Sequence, residues 1–199
     1  MRAHSPTLEL PPGEFSAYIF DCDGTLADTM PLHYIAWREI LDPLGCPFPE
    51  EQFYAWGGVT AVEVIERLNR EHGLTIPAHQ TADIKEAAFA KLLDGVKPIP
   101  AVVAEAQRLF GQCPLGVASG GITSLVNQTL VSIGIRDLFG AVATVDDVKH
   151  GKPAPDMFLL VAEKLDVDPK TCIVYEDGPA GMEAAWAAGM QVVDVRKFI

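Results

Sequence analysis

The stretch Phe20–Thr29 reads FDCDGTLADT, and the run just before it, Ala17–Phe20, is AYIF. A short apolar run that ends abruptly at Asp and Gly predicts a strand over Ser16–Phe20. Its lack of polar alternation predicts burial on both faces, as in a parallel sheet. The strand then delivers Asp21 and Asp23, separated only by Cys22, into one small space. Asp23-Gly24 is a common turn pair. An EF-hand loop is excluded, because Gly24 comes too early and the downstream Glu is missing. Beside the plain turn, the sharper reading is a metal and phosphate site. A cation would let two carboxylates stand together, and Mg²⁺ takes oxygen ligands. Asp21 would then be ligand and nucleophile, and Asp23 a general acid and base. The like charge of the pair is expected to leave a proton on one of them.

Outward from this strand, similar short runs recur at Leu115–Ala118, Ala141–Thr144, Cys172–Tyr175 and Gln191–Val195. Helical patterns separate them over Ala101–Phe110, Ile122–Gly134, Pro155–Leu165 and Ala180–Gly189. Alternating strands and helices predict an α/β fold with a doubly wound parallel sheet. The segment after the first strand departs from this rhythm. Pro31–Leu41, Ala61–His72 and Ala78–Leu93 all read as helical, and Thr60 with Glu63 makes a capping-box pattern. A helical cap over residues 27–95 is therefore expected to interrupt a core of residues 1–26 and 96–199. Lys97–Pro100, KPIP, would be the return linker. Residues 1–14, rich in proline and lacking an apolar segment, are expected to be an irregular lead-in rather than a signal peptide.

Composition narrows the partners. Lys and Arg number 15 against 27 Asp and Glu, a formal net charge of −12. Such a balance repels nucleic acid and anionic membrane surfaces. The four cysteines, Cys22, Cys46, Cys113 and Cys172, form no close pair. That argues against a zinc site or a disulfide framework and fits a cytoplasmic protein.

Ligands in such a fold bind beyond the carboxyl ends of the strands, and three further motifs fall there. In VASGG, Val117–Gly121, Ser119 offers a hydroxyl, and Gly120 and Gly121 let backbone amides approach an anion at the next helix N-terminus. In KHGKPAPD, Lys152 precedes Pro153 and could neutralise Asp21 and a phosphoryl group, while Lys149 reads as a solvated loop residue. In YEDGPAG, Glu176 and Asp177 would complete a metal's oxygen shell. The Ser119 and Glu176–Asp177 motifs alone are also readable as structural turns, and Lys152 alone as a solvated loop lysine.

Taken in this order, the four motifs resemble the haloacid dehalogenase-like phosphohydrolase superfamily. The resemblance covers nearly the whole chain from Phe15 onward. It implies a Rossmann-like core with strand order 3-2-1-4-5, an inserted cap, and Mg²⁺ held by Asp21, the backbone carbonyl of Asp23, and Asp177, with Glu176 nearby. It implies Asp21, Asp23 and Lys152 as catalytic residues and Ser119 and Gly120 as phosphate-binding ones. The acid at Asp23 suits phosphatases and sugar phosphomutases. DTMPLHYIAW and the segment around Lys152 are similar to the β-phosphoglucomutase subgroup, with His33 near the hinge and Gly57 and Gly58 in a substrate-facing cap loop. The mutase has an arginine where this chain has Ala61, and a lysine where it has Ile122. The expectation is thus a phosphatase of small sugar phosphates, most similar to those acting on fructose 1-phosphate and 6-phosphogluconate. A sugar phosphomutase is the alternative.

Overall fold

The apolar runs pair into one sheet. A computed structural model of the chain, describing residue 11 and residues 13–198, places β1 at Ala17–Phe20, β2 at Leu115–Ser119, β3 at Ala141–Thr144, β4 at Cys172–Glu176 and β5 at Gln191–Asp194. The order is β3-β2-β1-β4-β5, and every neighbouring pair is parallel. This is the Rossmann-like, doubly wound arrangement expected from the sequence. The lead-in over residues 1–14 lies largely outside the described residues.

Side chains alternate between the faces of a strand, and here both faces are apolar. Phe20 packs with Val117 and Tyr175 beneath α5 (Pro100–Leu109) and α6 (Thr123–Ser132). Ile19, Ala118 and Val174 face α7 (Asp156–Lys164) and α8 (Pro179–Ala187). Phe20 and Tyr175 stack with ring centres 4.6 Å apart. Full burial of an aromatic ring such as Phe20 contributes about 1.5–3 kcal/mol, so the strand that carries the acids is anchored from below.

Five helices lie between β1 and β2 in sequence; ahead of α5 come α1 (Met30–Leu41), α2 (Glu50–Ala55), α3 (Ala61–His72) and α4 (Ala78–Ala90), which form the insert. These four share a core of Trp37, Phe48, Phe53, Ile65 and Leu68. Helix α4 ends three residues before Leu93, because the chain turns there and Leu93 packs with Phe89 and with Leu125 of α6. Thr60 caps α3 by accepting the Glu63 amide at 3.3 Å. The reciprocal half of the expected capping box is replaced, since the Glu63 carboxylate binds Arg67 and Arg70 instead.

The two crossings into and out of this helical insert are tied together. The Ile99 amide donates to Leu26 O and the Asp28 amide to Lys97 O, both at 2.9 Å, and Ala27 bridges Pro98 in antiparallel fashion. No helix of the described residues is long and apolar enough to cross a membrane.

Candidate active site

β1 hands its first acid over in a fixed position. The Asp21 amide still donates to Tyr175 O at 2.9 Å, extending the β1–β4 pairing by one residue. Lys152, from the loop between β3 and α7, places Nζ 2.6 Å from Asp21 Oδ1 and 3.4 Å from Glu176 Oε2. Glu176 ends β4 and accepts the Gly178 amide through Oε1. Asp177 follows, and its Oδ1 accepts from Thr25 Oγ1 at 3.0 Å. Oxygens of Asp21, Glu176 and Asp177 lie within 4.8 Å of one another. Thus residues from two adjacent strand ends, β1 and β4, and from the loop before α7 meet at one edge of the sheet.

Burial and mutual repulsion dominate this cluster. Burial, opposed by Lys152, lifts the Asp21 carboxyl above its ordinary value. Glu176 is raised well above its own by burial and then by Asp21. Asp177 is pushed up to about 7 by burial and the Asp21 charge. Burial lowers the Lys152 ammonium, but the charges of Asp21 and Glu176 outweigh it and raise the net value. Three carboxylates against one ammonium leave a formal excess of negative charge in a buried place. An all-oxygen donor set of this kind fits a hard divalent cation such as Mg²⁺. The Asp23 side chain takes no part in that donor set, which leaves only its backbone carbonyl for the ligand role implied by the resemblance.

Asp23 points elsewhere. Its Oδ1 accepts from Thr29 Oγ1 at 2.7 Å and faces His33 Nε2 at 3.2 Å, and its Oδ2 accepts from Ser119 Oγ at 3.3 Å. Burial works against ionisation here, yet the His33 hydrogen bond and charge, the Thr29 hydroxyl and Lys85 hold Asp23 down at about 2. Like-charge repulsion alone leaves open which acid of the pair keeps a proton. The raised acid of the pair is Asp21, and Asp23 is kept ionised by donors the sequence did not show to be close. His33 in turn faces Lys85 Nζ through Nδ1 at 2.7 Å and stacks on Phe89.

Ser119 is wholly buried, and its hydroxyl is shared between Asp23 and the Gly121 amide, which donates to Oγ at 3.1 Å. Its hydroxyl is therefore engaged within the protein. Gly120 and Gly121 line the cavity above. Cys22 packs into the core beneath α5 and α6, and Asp28 is exposed at the crossing. Lys149 is exposed, as expected of a loop lysine.

A cavity open to solvent lies above the cluster. Asp21, Asp23, Glu176 and Asp177 form its floor, and α1 to α4 form its roof. The roof loop after α2 sits directly on core backbone. A Cβ on Gly178 would lie 2.8 Å from the carbonyl oxygen of Gly57, and one on Gly120 would lie 3.1 Å from that of Gly58. Gly24, at φ +86°, passes so close to the Asp177 carboxylate that a side chain there would collide with it. Sequence reading missed Thr25, Thr29, Lys85 and Glu86 at this site. Their roles depend on contacts of residues far apart in the chain.

The Gly178 seam gives a test. Gly178 occupies the N-cap of α8 in an extended conformation (φ −89°) open to any residue. Serine is the better N-cap by a few tenths of a kcal/mol, but its Cβ would stand 2.8 Å from the Gly57 carbonyl oxygen, so Gly178→Ser is expected to lower Tm slightly despite the cap. Its side chain would displace the Gly57 loop, and kcat/KM is expected to fall roughly tenfold or more. Thermal melts and steady-state rates on one preparation check both halves.

Comparison with known proteins places the chain. Fructose-1-phosphate phosphatase YqaB of Escherichia coli (strain K12) is 38% identical over 183 residues, 92% of this chain and 97% of its own length. Beta-phosphoglucomutase of Bacillus subtilis (strain 168) is 31% identical over 189 residues, 90% and 82% of the two chains. The crystal structure of beta-phosphoglucomutase from Clostridium difficile superposes with a TM-score of 0.81 at 26% identity, covering 89% of this chain and 83% of that one. With the fold and the floor described above, the class is that of a phosphoric monoester hydrolase. The chain belongs to the haloacid dehalogenase-like hydrolase family, which matches residues 15–189. The resemblance drawn from the four motifs is borne out.

Proposed function

We propose that this enzyme hydrolyses phosphomonoesters of small sugars, of the fructose 1-phosphate or 6-phosphogluconate type, with Mg²⁺ and through an aspartyl-phosphate on Asp21. The observation that carries this reading is the Asp21–Lys152 contact of 2.6 Å inside a carboxylate cluster at the floor of a roofed cavity. In this reading residues 27–95 are the cap and residues 1–26 and 96–199 the catalytic body. The four free cysteines suit a reducing, cytoplasmic setting.

Asp21 attacks phosphorus as the ester P–O bond breaks, and the leaving alcohol oxygen takes a proton through Asp23. His33, 3.2 Å behind Asp23, passes that proton from Nε2 as Lys85, 2.7 Å from Nδ1, replaces it, and the proton later taken from water returns along the same line. Asp23, held ionised by its neighbours, then takes a proton from the water that attacks the aspartyl-phosphate, and Asp21 is released. Lys152 orients Asp21 and offsets phosphoryl charge, while the Gly120 backbone and the hydroxyl of Ser119, on releasing Asp23, hold phosphoryl oxygens. Asp21, Asp177, the Asp23 carbonyl and Glu176 would hold Mg²⁺, which when bound supplies charge neutralisation to the phosphoryl group. Closure of the roof, with Gly58 at the seam, keeps bulk water out.

The mutase reading needs a cation for a second phosphate. Ala61 lines the cavity where the mutase has its arginine, and Lys85 is already paired with Glu86 at 3.1 Å. Phosphatase is therefore favoured. Phosphate release across a panel of sugar phosphates and nucleotides, with and without Mg²⁺, tests the proposal. Glucose 6-phosphate formed from β-glucose 1-phosphate without free phosphate would overturn it. Mg²⁺ at about 100 times its Kd is also expected to stabilise the fold by about 2.7 kcal/mol, read as a rise in Tm that EDTA reverses.

A further inference from the structure

We infer that Glu86 reads a hydroxyl group on the alcohol part of the substrate and turns away a second phosphate, so that the enzyme selects monophosphates of uncharged polyols. The inference rests on the sugar-phosphate reading above and narrows it to the fructose 1-phosphate type, since 6-phosphogluconate carries a carboxylate that Glu86 would repel.

The roof of the cavity is mostly apolar, with Met30, Trp37, Phe48, Phe53, Trp56 and Val64. Its charged or ionisable side chains are His33, Lys85 and Glu86. Both ring nitrogens of His33 are engaged, one by Asp23 and one by Lys85. The Lys85 side chain is 5% exposed, and its ammonium serves His33 and Glu86 and lies over the rings of Trp37 and Phe89. Glu86 is the more open of the pair at 14%. Its Oε1 accepts from Lys85, while Oε2 has no hydrogen-bond partner among the described residues.

A carboxylate only accepts hydrogen bonds. Glu86 therefore matches O–H groups, which sugars present in number, and meets a phosphate with like charge in a half-enclosed space. No arginine among the described residues lines the cavity to offset it. The two buried lysines are already committed, Lys152 to Asp21 and Glu176 and Lys85 to Glu86. The aromatic roof suits the C–H faces of a sugar. The cavity thus has a place for one phosphoryl group, at the floor, and an acceptor for hydroxyls opposite it.

The test compares wild type, Glu86→Ala and Glu86→Gln with Mg²⁺ on fructose 1-phosphate, fructose 1,6-bisphosphate and phenyl phosphate. A hydrogen bond to a charged group supports at least about tenfold discrimination. In Glu86→Ala, the ratio of kcat/KM for fructose 1-phosphate to that for phenyl phosphate is expected to fall by that factor, mainly through KM. The ratio for bisphosphate to monophosphate is expected to rise by about fivefold or more. Glu86→Gln keeps an acceptor oxygen and should retain more of the monophosphate preference while showing the same gain on the bisphosphate. A parallel fall on all three esters would overturn the inference, because Glu86 would then act only through Lys85 on Asp23. Unmoved ratios would overturn it too, while leaving the sugar-phosphatase reading intact. Wild-type enzyme that cleaves phenyl phosphate but no sugar monophosphate would sink that reading, and the inference with it.

Discussion

Asp21→Asn is expected to release phosphate at least roughly 10⁴-fold more slowly than wild type, since a nucleophile acting as a unit with its neighbours leaves little behind when removed. The amide keeps the shape of the side chain and its place after β1, where the backbone is pinned to Tyr175. It removes one negative charge from a crowded group and leaves Lys152 paired with Glu176. The fold should therefore melt no lower than the parent, and Tm separates loss of chemistry from loss of structure. Acid-quenched wild type incubated with substrate should carry a phosphoryl mass on the peptide containing Asp21, and the variant none. Phosphate release at the parent rate would show that another group attacks phosphorus.

Lys152→Met is expected to lose both activity and stability. The ammonium is fully buried against Asp21 and Glu176 and lies 5.2 Å from the Phe158 ring centre. Breaking a buried pair from one side costs about 3–5 kcal/mol. The cost should depend on pH. Burial raises the carboxyls of Asp21 and Glu176 above their unfolded values. The folded cluster then binds more protons than the unfolded chain, and stability is lost as pH rises through the folded values. Without Lys152 nothing opposes that trend, so the deficit measured by denaturant unfolding should grow from acidic to alkaline pH. A deficit that shrinks with rising pH would mean that the lysine is not balancing these acids.

The sequence made the sheet legible because its strands are buried on both faces, and uninterrupted apolar runs such as CIVY leave no competing reading. The site floor was legible for the same reason, as an acid directly after such a run can only stand at the sheet edge. The roof was not. Helix α2 is too short to show a period, and Leu93 sits beyond the end of α4 because it packs on Leu125, a contact invisible locally. Which acid of the pair is raised was not legible, on similar grounds. Its charge is set by Thr29, His33 and Lys85, and Lys85 is brought near only when α4 folds back against α1.

The paired crossings at Ala27 and Pro98 carry one more consequence. Two chain segments hydrogen-bonded side by side form a ribbon, which bends more easily than it twists or stretches. The four helices beyond it would then be tied to the core at one paired crossing. Any opening of them would part the close approach of Gly57 to Gly178. Catalysis and that crossing would thereby be coupled through Ala27 and Pro98, which do not line the cavity.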